Sequence, residues 1–466
     1  MEKIEVLFFD ELEQPEEVIR QCDACLDNVF FENNFALKLN ESYLLTPFSR
    51  VEVSSNRFVI FTTTALAMVN QKAIEFLTQF SQGKIPNSLD TLTQKFIEYG
   101  FLHPVQNKEK KIVERIDKLS SWIHLTDSCN LRCHYCFLPH DPTFLSIEMG
   151  KKIVDSLVKT AQENDLKKLK LKYAGGEPLQ NKKVLKALHH YALEQKEMEI
   201  SASILTNGTL LDRDFLLWIK EHKIKLIISL DNIESKNPQR IYKEGEDSAQ
   251  DVMKNIELAL NEGIKPFISI TLTSETIDSL NALLSWILEK NLFFSINFYK
   301  GKSAVNEGKL IQKMLEAFKL IENNFPQQSL LNTLVDMSNF SDPHLKSCSV
   351  GENYLIFNTN GEISQCPMTM DEPIASVDSS AILKKIQNPL NKLKNFRVDE
   401  QEECKTCQWR YWCGGGCAVV NSYNNGKSPY CEVYKALFPE VLRLEGLRLL
   451  KQSPESVLPD PRVENS

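Results

Sequence analysis

The fold is indicated by one stretch, Cys129-Asn-Leu-Arg-Cys133-His-Tyr-Cys136, which follows an apolar segment from Trp122 to Leu125. Three thiolates at this CxxxCxxC spacing can bind three irons of a [4Fe-4S] cluster and leave the fourth iron open, which suits reaction better than structural support. The alternative is a zinc site with His124, His134 or His140 as the fourth ligand. The spacing favours iron and leaves zinc open.

Short apolar strands alternate with helical patterns on both sides of this loop. The predicted strands are Trp122 to Leu125, Leu169 to Tyr173, Ile200 to Leu205, Leu226 to Leu230, Pro266 to Leu272 and Phe293 to Phe298. Such alternation predicts βαβ units around a parallel sheet, in the α/β class. Six repeats are too few for a closed eight-stranded barrel, so a partial (β/α)6 barrel or an open sheet is expected. The chemistry should then lie at the carboxyl ends of the strands.

The flanking segments differ in composition, which predicts separate domains. The N-terminal part has β-branched segments followed by two amphipathic patterns, typical of a small α+β domain. From Pro343 to about Tyr434 the chain is rich in cysteine and glycine, as in domains held together by metal. The expected division is 1–115, 116–335, 336–440 and a tail of 441–466, disordered beyond Ser453.

Bulk composition limits the classes of function. The chain has 466 residues, a formal net charge of −8 and 42% hydrophobic residues, with no apolar run long enough for a membrane helix. The acidic start argues against a secretory signal, so a cytoplasmic protein with no membrane partner is expected. The negative charge also argues against nucleic acid as a partner. Twelve cysteines in such a chain indicate metal binding better than disulfides.

The cysteine loop, with Tyr135 before its last cysteine, resembles the CxxxCxΦC motif of the radical S-adenosylmethionine (SAM) superfamily. A second element, Gly175-Gly176-Glu177-Pro178, is similar to the family's GGEP motif, which contacts the amino group of the methionine part of SAM. Glycines there let the backbone approach the ligand, and Glu177 or main-chain carbonyls can face an ammonium group. The resemblance therefore implies a [4Fe-4S] cluster and SAM as cofactors.

Two shorter segments resemble those that line the ribose and carboxylate of SAM in this family. They are Thr206-Asn207-Gly208 and Ser229-Leu-Asp231, which end the third and fourth predicted strands. Many family members have glycine after the aspartate, where this chain has Asn232. Arg240 is a candidate partner of the methionine carboxylate, since a guanidinium pairs well with carboxylates, and its alternative is an ordinary surface arginine.

Seven further cysteines are similar in spacing to the SPASM domain, a C-terminal extension of radical SAM enzymes that usually carries two auxiliary [4Fe-4S] clusters. They are Cys348, Cys366, Cys404, Cys407, Cys413, Cys417 and Cys431. The resemblance assigns Cys404, Cys407, Cys413 and Cys431 to an outer cluster, and Cys348, Cys366 and Cys417 to an inner one. The fourth inner ligand is left open among Asp342, His344, a substrate residue or none.

Cys22 and Cys25 form a CxxC pair to which no role is assigned.

Residues about 35 to 103 look like the small winged-helix domain that recognises leader peptides in maturases of ribosomally made peptides, where a peptide adds a strand to a sheet edge. The combined resemblance implies a radical SAM oxidoreductase that modifies, and in the leading hypothesis crosslinks, a precursor peptide. A low-potential electron donor such as flavodoxin or ferredoxin is implied as a second partner. Formylglycine formation of the anaerobic sulfatase-maturase type, peptide epimerisation, backbone excision and a zinc-stabilised scaffold are the alternatives.

Overall fold

The computed structural model describes residues 4–8, 29–31, 37–86, 90–106, 112–114, 116–234, 239–302 and 305–452. Cys22 and Cys25 lie outside these ranges. Within them, no helix is both long and apolar enough to cross a membrane.

The N-terminal part is a four-stranded antiparallel sheet with two helices and two small strand pairs. Its elements are β1 (Val6–Phe8), β2 (Val29–Phe31), β3 (Tyr43–Leu45), β4 (Ser49–Ser54), β5 (Arg57–Phe61), β6 (Leu66–Asn70), α1 (Gln71–Thr78), α2 (Thr91–Glu98), β7 (Leu102–Pro104) and β8 (Ile112–Glu114). The sheet order is β1-β6-β5-β4, and β2 pairs with β8 and β3 with β7. Side chains of Asn70 and Asp90 accept hydrogen bonds from the first turns of α1 and α2, which fixes where each helix begins.

The β-branched segments and amphipathic patterns predicted from the sequence correspond to β3, β4 and β5 and to both helices, whereas β1, β2, β6, β7 and β8 were not predicted. The miss at β6 has a clear cause. Its five residues, Leu66 to Asn70, are all buried, so the alternation of apolar and polar residues that marks a half-exposed strand is missing. The two faces of this sheet pack against different partners. Ile60 and Val69 pack with α1 and α2, whereas Val59 and Met68 belong to the main core of the protein.

The central part contains six parallel strands, each followed along the chain by a helix. Its elements are β9 (Lys118–His124), α3 (Ile147–Gln162), β10 (Lys168–Ala174), α4 (Lys182–Leu193), β11 (Glu199–Thr206), α5 (Arg213–Glu221), β12 (Lys225–Ser229), α6 (Ala249–Asn261), β13 (Phe267–Leu272), α7 (Leu280–Glu289), β14 (Phe293–Phe298) and α8 (Glu307–Asn323). The strands pair in parallel in chain order from β9 to β14. The predicted α/β class with a parallel sheet is confirmed.

The cysteine-rich part extends this sheet. Its elements are β15 (Tyr354–Phe357), β16 (Glu362–Ser364), β17 (Ala375–Ser376), α9 (Ile382–Ile386), α10 (Arg410–Cys413), α11 (Ala418–Ser422) and α12 (Cys431–Gln452). β15 pairs in parallel with β9, and β16 and β17 continue antiparallel from it, giving a nine-stranded sheet among the described residues. A boundary at residue 335 therefore separates strands of one sheet.

The expected tail of 441–466 was wrong for its first twelve residues, because 441–452 continue α12. This helix packs against α8 and against β4 and β5 of the N-terminal sheet. Apolar residues are buried along its whole length, including Val433, Leu437, Val441 and Leu444. Helices with apolar residues on several sides lack the one-sided 3.6-residue pattern by which an amphipathic helix is recognised in sequence.

We expect Gly446→Val to destabilise the protein by about 1–3 kcal/mol, because it overpacks the contact between α12 and the N-terminal sheet. A Cβ atom on Gly446 would lie 2.7 Å from Cγ2 and 3.0 Å from Cγ1 of Val53. Thermal unfolding of the anaerobically purified protein would measure the loss. The control is Gly308→Val in the first turn of α8, where the nearest atom to a Cβ is 3.7 Å away. Equal melting temperatures for the two variants would contradict this packing.

Candidate functional site

The CxxxCxxC loop lies at the carboxyl end of β9, where the sheet topology predicted the chemistry. Cys129 is 7% exposed, and Cys133 and Cys136 are partly exposed. The amide of Leu131 donates to Cys129 Sγ at 3.4 Å, and Asn207 Nδ2 donates to the same sulfur at 3.8 Å. Burial raises the pKa of Cys129 to about 11, so the metal-free thiol stays protonated at neutral pH. Amide donors aimed at sulfur fit a thiolate that binds a metal cluster.

The two glycines of the GGEP segment pack against the cysteine loop itself. A Cβ on Gly176 would lie 2.4 Å from the carbonyl oxygen of Ser128, and one on Gly175 would lie 2.7 Å from that of Thr126. The amides of Gly176 and Glu177 donate to these same two carbonyls at 2.6 and 2.8 Å. The glycines therefore allow the segment after β10 to bind the backbone of the loop directly. The sequence analysis predicted only that they let the backbone approach a ligand.

The Glu177 carboxylate is fully buried and does not face an open site. Its oxygens accept hydrogen bonds from the Leu179 amide at 2.9 Å, the Thr206 hydroxyl at 2.7 Å and the Asn207 amide at 2.7 Å. Burial raises its pKa, and these three donors oppose that shift. The sequence predicted that either the Glu177 carboxylate or main-chain carbonyls face the ammonium group of SAM. The carboxylate instead binds three donors within the protein, and the role of the carbonyls stays a prediction. Pro178 is buried and begins a short 3-10 turn.

Asn207 connects the end of β11 to the cysteine loop. Besides its contact with Cys129, its Nδ2 donates to Asn130 Oδ1 at 2.9 Å. Its Oδ1 accepts from the amide and the hydroxyl of Thr209 at 3.0 and 2.7 Å, and Asn130 Nδ2 donates to that hydroxyl at 2.8 Å. The side chain expected to contact SAM therefore also holds the loop that carries Cys129.

Tyr135, Asp231 and Arg240 form one hydrogen-bonded polar group, in which Asp231 is buried and the other two residues are partly buried. The Tyr135 hydroxyl donates to Asp231 Oδ2, and Arg240 Nη1 donates to the Tyr135 oxygen at 2.6 Å and lies 3.6 Å from Asp231 Oδ2. Asp231 Oδ1 accepts from the Thr271 amide at 2.7 Å. Burial raises the pKa of Asp231, and the charge of Arg240 opposes that shift.

The reading of Arg240 as a surface arginine was wrong, because its side chain is only 13% exposed. It pairs within the protein, and its Nε remains a buried donor with no partner among the described residues. Ser229, which ends β12, is partly buried and is in register with Ser269 of β13.

His124 has both ring nitrogens engaged by neighbouring side chains. Its Nε2 lies 2.9 Å from Asp127 Oδ1, and its Nδ1 accepts from Trp122 Nε1 at 3.4 Å. His134 is exposed, and burial lowers the pKa of the His140 imidazole. Among the residues described, no three His, Cys, Asp or Glu side chains converge on one metal-ion position. Cysteines that each bind a different iron of a cluster do not need such convergence, whereas the four ligands of one zinc ion do.

The cysteines that influence Cys413 and Cys366 electrostatically fall within the two sets that the sequence resemblance implied, and the assignment of these sets to clusters stays a prediction. Burial raises the pKa of Cys413, and the nearby Cys404, Cys431 and Cys407 raise it further. Burial likewise raises the pKa of Cys366, with Cys417 and Cys348 as additional causes.

Amides also point at sulfurs in both sets. The Trp409 amide donates to Cys407 Sγ at 3.4 Å, and Asn395 Nδ2 donates to Cys348 Sγ at 3.8 Å. These residues fit auxiliary clusters. His344 is buried, with its Nδ1 3.1 Å from the Asp342 carbonyl oxygen, so this ring nitrogen is engaged locally.

Three consecutive glycines with positive φ angles join the two sets. Gly414, Gly415 and Gly416 have φ of 62°, 86° and 81° and follow Cys413. A Cβ on Gly414 would lie 2.4 Å from the Ser347 amide nitrogen, beside Cys348. The Ser347 hydroxyl donates to the Gly416 carbonyl at 2.6 Å. Left-handed backbone and this close approach together explain why glycine is needed here.

Comparison with known proteins identifies the central part. A model of the radical SAM superfamily matches residues 123–287, from β9 to α7. This part of the chain is a radical SAM domain. The chain is 22% identical over 412 residues to the radical SAM cyclopropyl synthase TigE of Paramaledivibacter caminithermalis, covering 78% of this chain and 84% of TigE. It is 24% identical over 360 residues to a cysteine-type anaerobic sulfatase-maturating enzyme of Clostridium perfringens, covering 67% of this chain and 93% of that enzyme.

The fold is shared with a solved structure, native anSMEcpe with bound AdoMet, at a TM-score of 0.57 and 20% identity. The match covers 70% of this chain and 99% of anSMEcpe. The radical SAM domain implies a [4Fe-4S] cluster and SAM. The loop at Cys129 has the spacing, the burial and the amide donors that such a cluster requires.

Sequence reasoning missed one charged pair in this radical SAM enzyme. Lys300, two residues after β14, forms an ion pair with the buried Asp336. Burial lowers the pKa of Lys300, but the charges of Asp336 and of nearby Cys417 outweigh this effect and raise it. A lysine directly after the last parallel strand was the available signal, because polar groups at strand ends collect at the site.

We expect Glu177→Gln to weaken SAM binding and to destabilise the protein by about 1–3 kcal/mol. The side-chain NH2 of glutamine would face N–H or O–H donors that now bind the carboxylate. The hydrogen bonds that hold the segment at Asn207 would then be lost. Isothermal titration with SAM and thermal unfolding, both on the iron-loaded protein, measure the two effects. The control is Glu221→Gln, since Glu221 is exposed at the end of α5. Unchanged SAM affinity in the Glu177 variant would contradict the proposed support.

Proposed function

We propose that this protein is a peptide maturase that uses a 5'-deoxyadenosyl radical to crosslink a ribosomally made precursor peptide. The observation that carries the proposal is the combination of a radical SAM domain, two grouped sets of C-terminal cysteines and a separate N-terminal sheet. At the coarser level, the chain is a radical SAM enzyme of the peptide- or sulfatase-maturase type, as its similarity to TigE and to the sulfatase-maturating enzyme indicates.

The radical-generating site would be built on Cys129, Cys133 and Cys136. When bound and reduced by one electron, the cluster supplies cleavage of SAM to methionine and a radical that takes a hydrogen atom from the substrate. Asn207 and the Tyr135–Asp231–Arg240 group both bind residues of the loop and would position SAM there. The buried Nε donor of Arg240 is available for a carboxylate oxygen of SAM.

The C-terminal cysteines would hold two auxiliary [4Fe-4S] clusters. Removal of a hydrogen atom and closure of a new bond leave one electron on the substrate, which an adjacent cluster can accept. Cys348, Cys366 and Cys417 are the nearer candidates, because Lys300 at the carboxyl end of β14 influences the pKa of Cys366 and interacts with Cys417. Lys300 and Asp336 would then bind polar groups of the peptide between the two sites.

The N-terminal sheet would recognise the leader part of the peptide. Its two edge strands among the described residues are β1 and β4. β4 is six residues long, with Arg50 and Glu52 exposed, so an extended peptide could add beside it through main-chain hydrogen bonds. The stacked rings of Phe61 and Trp409, 4.4 Å apart, connect this sheet to the outer cysteine set. A bound leader would thus be attached rigidly to the part of the protein that holds the clusters.

Formylglycine formation remains the second candidate because the fold of anSMEcpe matches over almost all of its own length. The match leaves 30% of this chain without a counterpart in anSMEcpe, and this extra length favours the first candidate, which needs a further part for leader recognition.

Iron analysis tests the cluster assignment. The anaerobically purified protein is expected to contain about twelve irons, and the triple variant Cys129→Ala, Cys133→Ala, Cys136→Ala about eight, with cleavage of SAM after dithionite reduction abolished. Replacing Cys404, Cys407, Cys413 and Cys431 by alanine should also leave about eight irons but retain cleavage. Zinc without iron would leave a scaffold as the better interpretation, and cleavage in the triple variant would show that the loop at Cys129 does not hold the radical-generating cluster.

Mass spectrometry of the product separates the two maturase functions. A precursor peptide with its leader is expected to lose two hydrogen atoms on crosslinking when incubated with reduced enzyme and SAM. The Cp18Cys peptide, which is bound in a solved anSMEcpe structure, is expected to remain unchanged. If its cysteine instead loses sulfur and becomes an aldehyde, the crosslinking proposal is wrong and formylglycine formation is the function.

A further inference from the structure

A basic surface segment covers the inner cysteine set on a chain that is acidic overall. Residues 379–398 contain five basic side chains and no acidic one, whereas the whole chain has a formal net charge of −8. The basic residues are Lys384, Lys385, Lys392, Lys394 and Arg397, of which Lys392 pairs with Glu372 and Arg397 with Asp399. The four lysines are exposed, and Lys384 and Lys385 have no ion pair among the described residues. We call residues 379–398 the basic loop.

The basic loop is folded firmly onto the protein. Ile382, Leu383 and Ile386 of α9 are buried, which directs the two lysines between them outward. The side chain of Asn391 donates to the carbonyls of Lys385 and Ile386, both at 2.9 Å, so the chain after α9 turns back over it. The positive surface is therefore preformed.

One side chain connects this loop directly to the inner set. Asn395 Nδ2 donates to the carbonyl oxygens of Cys348 and Val350 at 2.8 and 3.1 Å and contacts Cys348 Sγ at 3.8 Å. Its neighbour Phe396 is 56% exposed, and Leu390 is 86% exposed. Large exposed apolar side chains within a charged surface are typical of protein-binding sites.

We infer that the basic loop is the docking surface for a small acidic one-electron carrier that exchanges electrons with the inner auxiliary cluster, an inference that rests on the proposed function. Electron transfer falls off steeply with distance, so a carrier must dock where only a thin layer of protein covers the cluster. The negative charge elsewhere repels an acidic protein, whereas the loop attracts it and fixes its orientation. A few apolar side chains in a charged rim suit the small interfaces of transient redox complexes.

When bound, the inner auxiliary cluster would supply one electron to the carrier in each encounter. If the carrier is a flavoprotein, its oxidised flavin would take up that electron together with one proton from water. This step would remove the electron that bond closure leaves on the substrate.

The charge-reversal variant Lys384→Glu, Lys385→Glu tests the surface, with an oxidised acidic flavodoxin as the probe. We expect the second-order rate of flavodoxin reduction by the dithionite-reduced holoenzyme to fall about tenfold at low salt and to lose its salt dependence. The matched control is Lys167→Glu, Lys168→Glu, a second exposed lysine pair at the amino end of β10. Cleavage of SAM driven by dithionite should be unchanged in both, since that small reductant needs no docking surface.

Affinity for flavodoxin, measured by titration, gives a readout independent of turnover. Leu390→Ala should weaken it without changing its salt dependence, because this variant removes apolar contact only. Unchanged rate and affinity in the lysine variant would overturn the inference. The inference would also be overturned if the lysine variant no longer bound a synthetic glutamate-rich peptide but kept its affinity for flavodoxin. The loop would then be a peptide-binding site. Iron content is measured in parallel. Absence of the auxiliary iron would contradict the proposed function. The affinity for flavodoxin would still decide whether the basic loop is a docking surface.

Discussion

The site depends on one fully buried carboxylate. Glu177 accepts hydrogen bonds from the segment after β10 and from the end of β11, and its own amide binds the loop that carries Cys129. A buried acceptor with three well-placed donors is costly to disturb, since each donor left unpaired loses its solvation without replacement. The three strand ends that surround the first cysteine are thereby held as one unit. SAM and the cluster can then bind to a preformed frame.

The cysteine and glycine motifs could be located from sequence because they are local. The spacing of Cys129, Cys133 and Cys136 and the GGEP segment depends on residues within a few positions of each other, and strands β9 to β14 were each predicted within a few residues. What the local pattern lacks is the partner of each polar group. The three partners of Glu177 and the pairing of Arg240 with Tyr135 join residues far apart in sequence, and no periodicity records them.

Three of the missed elements have a common physical cause, which is burial on more than one side. β6, β15 and α12 are covered on several faces, so their apolar residues do not alternate with polar ones. Such segments tie the parts of the protein together: β15 joins the cysteine-rich part to the central sheet, and α12 joins it to the N-terminal sheet. The same burial that hides them from pattern recognition makes the three parts a single packed unit.

The interleaving of the two cysteine sets has a consequence for biosynthesis. Cys417 of the inner set lies between Cys413 and Cys431 of the outer set, and the glycine turn holds the neighbouring backbone segments together. The inner cysteines therefore leave the ribosome before the outer set is complete. By the time Cys431 has been synthesised, the central sheet has been free to fold, as domains generally do during translation. Under the proposed function, iron would reach the outer set on a largely folded chain, so the assembly machinery would have to reach these cysteines from the surface of the protein.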